Sequence, residues 1–158
     1  MSVVAIAPPV DGRQSAHAAA VQRGVGRLLR AYGFAMVTEL PLGTGRRADV
    51  VGLGPAGEIW IVEVKSSVED FGADHKWPDY RLSCDRLFFA THAEVPLAVF
   101  PEEAGLMLAD AYGAELIRNA PEHRLSGATR KAMLVRFAQA AAHRLHGLVD
   151  PAANGLVA

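Results

Sequence analysis

Asp49, Glu63 and Lys65 are the residues whose types and spacing carry chemistry in this chain. Glu63 and Lys65 lie two apart at the end of the apolar run Ile59–Lys65. In an extended chain that spacing puts both on one face and Val64 on the other. The preceding run, Asp49–Leu53, reaches this one through Gly54-Pro55-Ala56-Gly57, a strong turn signal. With three residues in the turn, Gly54 pairs with Glu58, and continuing the ladder sets Asp49 opposite Glu63, with Cβ atoms roughly 4.5–5.5 Å apart. A turn one residue longer or shorter would throw the acids onto opposite faces. Two carboxylates at the rim of a buried sheet repel each other and each needs solvation. A hard divalent cation, Mg²⁺ or Mn²⁺, relieves both conflicts by taking oxygen ligands from carboxylates, water and a substrate phosphate. Such an ion polarises phosphoryl oxygens, and a lysine on the same face can orient the attacking water or neutralise developing charge. The set suits phosphodiester hydrolysis. The plain alternative is a turn-flanking acid beside a solvated cross-strand ion pair, and spacing alone does not decide between them.

The elements that must position these residues are readable from periodicity. Ser15 caps a helix in which Ala18, Val21, Val25, Leu28 and Leu29 recur at helical spacing until Gly33. A strand is expected over Phe34–Leu42, then the loop Gly43–Arg47, then the two runs described above. Ile59–Lys65 is apolar on both faces until its last residues, as a central strand should be. A helix is predicted from about Ala73 to Cys84, with Pro78 limiting its regularity. Arg86–Thr91 reads as a buried strand, Glu102–Ala111 as a short helix and Ala114–Ile117 as a strand. A long amphipathic helix over Thr129–Leu145 turns Met133, Leu134, Phe137, Ala138, Ala141 and Leu145 to one side. These elements imply a single α/β domain over residues 14–148, between an arm (1–13) and a tail (149–158).

Whole-chain properties narrow the function class. The chain has 158 residues, 51% of them hydrophobic, which suits a globular domain with a real core. Its formal net charge is −1, so any nucleic-acid contact must come from a local basic surface. Cys84 is the only cysteine, which excludes an internal disulfide and fits a reducing compartment. The stretch Met1–Val10 has no basic leader, and no apolar run reaches the roughly 18 residues needed to span a bilayer. No membrane role is expected.

Taken with its strand context, Asp49 followed by Glu63-Val64-Lys65 resembles the signature of the PD-(D/E)XK nuclease superfamily. More narrowly, three stretches resemble the bacterial MmcB family of DNA-repair proteins: Arg47-Ala48-Asp49-Val50, Val62-Glu63-Val64-Lys65-Ser66-Ser67, and Lys76-Trp77-Pro78-Asp79-Tyr80 leading to Cys84-Asp85-Arg86-Leu87. The resemblance implies a restriction-endonuclease-like fold: a mixed central sheet flanked by helices, with an αβββαβ core and a C-terminal helix. It also implies that Asp49, Glu63 and the Val64 carbonyl bind Mg²⁺ or Mn²⁺ and that Lys65 assists the attacking water. The implied partner is DNA, damaged or branched, in a bacterial cytoplasm and on the nucleoid when bound. A repair-protein partner and a homodimer are compatible with it. Two departures from the pattern stand out. Ala48 precedes Asp49 where the signature has proline, and Gln14–Tyr32 contains no Asp or Glu where many relatives carry a helix acid. Glu39 is the candidate stand-in. These departures keep open an alternative function, a module that retains the fold and binds DNA or a repair protein without cutting.

Other residues have both readings. Arg46 and Arg47, beside Gly43 and Gly45, can hold a DNA strand over the acids or form a solvated loop. No P-loop pattern follows them, which disfavours ATP hydrolysis. Lys76, Trp77, Tyr80 and Arg81 form a basic-aromatic cluster, with Lys76 suited to phosphate and Tyr80 or Trp77 to base stacking or core packing. Asp79 beside Pro78 is equally ambiguous, and Ser66 and Ser67 read as the start of a loop. His143 and His146 share a helix face but have no third ligand. Arg130, Lys131, Arg136 and Arg144 make the last helix basic, for an anionic partner or for solubility. Cys84 is expected to be buried beside Phe88-Phe89.

Overall fold

The computed structural model describes residues 15–156, so the arm at residues 1–13 lies outside the described residues. Helix α1 (Ala16–Ala31) begins at Ser15, whose hydroxyl accepts from the Ala18 amide at 3.0 Å. It ends where Gly33 takes φ +81° and the amides of Gly33 and Phe34 donate back to Arg30 and Leu29. That closing pattern needs a residue at ease in the left-handed region. Strands β1 (Ala35–Pro41), β2 (Arg47–Leu53), β3 (Ile59–Val64), β4 (Arg86–Thr91), β5 (Gly105–Ala109) and β6 (Ala114–Arg118) form one sheet in chain order. Neighbours are antiparallel except β3–β4 and β4–β5, which are parallel. The result is a six-stranded mixed sheet flanked by helices, consistent with a restriction-endonuclease-like α/β fold.

Alternation gives each face of the sheet its own core. On one face Val25 and Leu29 of α1 meet Val50, Val62, Phe88 and Met107. Gly24 is required here, because a Cβ would stand 2.1 Å from the Asp110 carbonyl oxygen. On the other face α3 (Gly127–Val149) lays Met133 and Phe137 against Val51, Ile59, Ile61 and Leu87. The expected apolar side of this helix stops short, since Leu145 is 62% exposed.

Two expected helices are corrected. Residues 102–111 hold strand β5, not a helix. Its burial is almost continuous and it is paired on both edges. A short apolar run has no period that separates the two possibilities, and Gly105 is demanded by tertiary packing, as a Cβ there would meet the Phe88 ring at 2.3 Å. The helix expected over Ala73–Cys84 is instead a short α2 (Val68–Ala73) followed by a 3-10 helix over Trp77–Ser83 with Pro78 in its first turn. Proline suits a first turn and breaks what precedes it. Ser67 caps α2 by accepting from the Asp70 amide at 3.0 Å, so the serines start a helix and not merely a loop. Pro151–Gly155 forms a further 3-10 turn on α3, with Asn154 against Gly147.

One ion pair ties α3 to the sheet. Asp85, just before β4, accepts both guanidinium nitrogens of Arg130 at 2.7 Å, the Ile59 amide at 2.8 Å and the Leu125 amide at 2.9 Å. Burial alone would raise its carboxyl, but these donors outweigh it and hold the pKa at about 2. A depressed acid contributes stability above its unfolded value, near 3.9, and loses it as pH falls toward 2. Arg130→Ala leaves this charge buried and unpaired, and should destabilise the fold by about 3 kcal/mol in urea titrations near neutral pH. The variant should also lose the part of the acid unfolding between pH 4 and 2 that Asp85 supplies.

Candidate functional site

The β2–β3 hairpin has the register expected from its turn. Val50 pairs with Val62 and Leu53 with Ile59, and the Gly54 amide donates to Glu58 at 2.8 Å. Hydrogen-bonded pairs alternate along such a ladder, so the pair after Val50/Val62 would be Ala48/Val64. At that level carboxylates take over. The Val64 amide donates to Asp49 Oδ2 at 2.8 Å, and the Asp49 amide donates to Glu63 Oε1 at 3.0 Å. Meanwhile β3 stays with β4, Val64 beside Ala90, and the Lys65 amide reaches the Ala90 carbonyl at 3.0 Å. The sheet therefore splits between β2 and β3, with the two acids seated in the fork.

Burial sets the electrostatics. Glu63 is only 2% exposed. Its carboxyl is pushed well above the ordinary value, first by burial and then by the neighbouring Asp49 charge. Asp49 is also raised by burial, offset in part by the Val64 amide, by the Glu63 carboxyl and by the charges of Lys65 and Arg47. Both carboxyls are thus raised, Glu63 the more strongly. This is a donor set suited to a hard cation: two crowded acids whose ionised forms an ion would favour, and a Val64 carbonyl that an extended backbone turns to the same side as its amide, toward Asp49.

Lys65 shares the Glu63 face, and its Nζ contacts Asp74 Oδ2 at 2.8 Å, with both side chains largely buried. Asp74 is the site residue that sequence reasoning misses. It closes α2 on the crossover between β3 and β4, a position with no strand parity to reveal it. The backbone around the lysine is pinned as well: Thr91 Oγ1 donates to the Lys65 carbonyl at 2.7 Å, and His92 Nε2 bonds the Ser66 carbonyl at 2.8 Å.

Comparison with known proteins decides the family. The family model described as DNA repair protein MmcB-like matches residues 6–152. The chain belongs to the MmcB-like family. It is also similar to a solved protein of unknown function from Silicibacter pomeroyi, with 49% identity, a TM-score of 0.85, and coverage of 90% of this chain and 97% of that one. A search of curated proteins found no match.

Around the acids of this MmcB-like chain, the other sequence-predicted residues fall into distinct roles. Arg46 pairs with Asp79 at 3.3 Å and lies over the Tyr80 ring, and Arg47 pairs with Glu39 at 2.6 Å. Tyr80 is buried, and its hydroxyl donates to the Arg47 carbonyl at 3.4 Å. Its phenol is held above its usual pKa by burial and by the Glu63 and Asp49 charges. Tyr80 is thus a wall of the acid site that fixes the arginine loop, not a free platform for a base. Trp77 packs edge-on to Phe89 under Arg81, while Lys76 is exposed. Glu39, the candidate stand-in acid, has φ +52° and holds Arg47. On α3, Arg136 and Arg144 donate to the carbonyls of Pro41 and Glu39, and His146 lies 4.0 Å from Asp150. Cys84 is buried, its thiol pushed up to about 12 by that burial, so it stays protonated. No helix among the described residues is long and apolar enough to cross a membrane.

A raised acid loses stability for the fold as pH climbs from the unfolded carboxyl value through the folded one, because the native state then surrenders a proton it had retained. Without divalent ions, Tm should fall between pH 5 and 8 more steeply in the wild type than in Glu63→Gln. Adding Mg²⁺ or Mn²⁺ should raise Tm increasingly with pH in the wild type and leave Glu63→Gln nearly unchanged. Differential scanning fluorimetry across that range checks both expectations.

Proposed function

We propose that this chain is a metal-dependent DNA nuclease of the PD-(D/E)XK superfamily, acting on damaged or branched DNA in repair. The observation that carries the reading is the convergence of Asp49, Glu63 and Lys65 on one face where β2 and β3 part. Asp49, Glu63 and the Val64 carbonyl would hold Mg²⁺ or Mn²⁺, and such an ion supplies positive charge to the oxygens of the scissile phosphate. Lys65, held by Asp74, offers a donor and a second positive charge to the attacking water and the phosphate. Arg46 and Arg47 sit at the rim in exchangeable ion pairs, and a DNA phosphate competes with Asp79 and Glu39 for their guanidinium forks. Exposed Lys76 extends this rim. Membership in a DNA repair family supports DNA as the substrate class.

A second reading, a module that binds DNA or a repair protein without cutting, is favoured by the chain's own charge pairing. Asp74 already neutralises Lys65, and α1 carries no acid. Cleavage assays with Mg²⁺ or Mn²⁺ on single-stranded, duplex, flap and cross-linked DNA separate the two. Nuclease function requires cutting that drops by roughly 100-fold or more in Asp49→Ala and Lys65→Ala variants of unchanged fold. Salt-sensitive binding with no cleavage selects the second reading. Neither binding nor cleavage rejects both.

A further inference from the structure

We propose that His17, His92 and Glu94 form a second metal site, selective for a transition ion of the Zn²⁺ class and separate from the acidic pair. The side chains come from two distant parts of the chain: His17 from the first turn of α1, and His92 and Glu94 from the segment just after β4. Each offers one ligand atom, and these atoms lie within 4.8 Å of one another. His17 Nε2 and Glu94 Oε2 are 3.4 Å apart. That nearly equals the edge of a tetrahedron with zinc bonds of 2.0–2.1 Å, about 3.3 Å. The exposed side chains of His17 and Glu94, 55% and 75% accessible, are free to close the remaining gap by rotation.

His92 is prepared for the ligand role. Its Nε2 bonds the Ser66 carbonyl at 2.8 Å, which fixes the proton on that nitrogen and leaves Nδ1 as the acceptor, where it takes a long hydrogen bond of 3.3 Å from the Glu94 amide that a bound ion would displace. A backbone carbonyl on the far nitrogen is the usual outer contact of a metal-bound imidazole, orienting the ring and raising its basicity. The His17 and His92 rings stack at 4.1 Å, nearly parallel, so the exposed His17 ring must rotate out of the stack to aim its in-plane lone pair at a shared ion. The cluster opens onto a groove of about 700 Å³ whose wall includes Asp110, Tyr112 and Glu115. Two imidazoles and one carboxylate leave a coordination position facing that groove. The donor set also separates the two sites by chemistry: imidazole suits Zn²⁺ and its neighbours, whereas the oxygen-only set at Asp49 and Glu63 suits Mg²⁺ or Mn²⁺. The proposal therefore stands whether or not the acidic pair cuts DNA.

The test is calorimetric titration of the full chain with ZnCl₂ in an Asp49→Asn background, which silences the acidic pair. One equivalent should bind, and binding should weaken at least about tenfold in His17→Ala, Glu94→Ala and His92→Asn. The last substitution keeps a donor for the Ser66 carbonyl, and metal-free Tm values confirm that each variant folds. His143→Ala/His146→Ala should bind like its parent. X-ray absorption on the zinc-loaded protein should show imidazole nitrogens at 2.0–2.1 Å. Zinc binding that is absent in the parent, or unchanged in all three variants, overturns the site; loss only in His143→Ala/His146→Ala assigns the ion to α3 and overturns it equally.

Discussion

A buried amide without a partner costs about 1–3 kcal/mol, and where β2 and β3 part, the amides of Asp49 and Val64 meet that constraint. Carboxylate oxygens satisfy both, so the acids serve as the last rungs of the ladder before they serve anything else. This explains why two neighbouring acids tolerate each other in a sheet interior: each is held by a backbone donor. It also explains why the fork stays open. A normal Ala48/Val64 pair would continue the hairpin and cover the position where Lys65, Asp74 and the arginine loop converge.

The rest of the architecture can be understood as support for that fork. The parallel β3–β4 pair holds the far edge of β3 in place while β2 departs, and Thr91 fixes the carbonyl of Lys65. On the opposite end of the same strands, Asp85 gathers Arg130 and two amides, which anchors α3 over the face that carries the acids. Two buried acids thus shift in opposite directions. Asp85 gathers donors that lower its pKa to about 2, whereas Glu63, buried beside another acid, is raised well above the ordinary value.

Much of this was legible in the sequence because it depends on local rules. Pro55 and Gly57 fixed a three-residue turn, the turn fixed the register, and parity then placed Asp49, Glu63 and Lys65 together. The Ser15 cap and the Gly33 stop likewise delimited α1. What could not be read depended on distant partners. Strand β5 looks helical until β4 and β6 are beside it, since Gly105 is a packing requirement of Phe88. Asp74 is an ordinary loop acid until α2 ends and turns it toward Lys65. Tyr80 resembles a stacking residue until the arginine loop folds over it. The cluster of His17, His92 and Glu94 is completed only when the docking of α1 on the sheet brings His17 to the His92-Ala93-Glu94 segment.

That contrast gives the acid site an unusual economy of encoding. Every group in it, from the rim arginine Arg46 through Asp49, Glu63, Lys65 and Asp74 to the Tyr80 wall, belongs to one contiguous stretch of chain. The two long helices that cover the sheet faces come from outside that stretch. Divergence in α1 or α3 can therefore retune stability and surface without rewriting the chemistry. A graft of Arg46–Tyr80 onto a relative would carry the whole constellation with it.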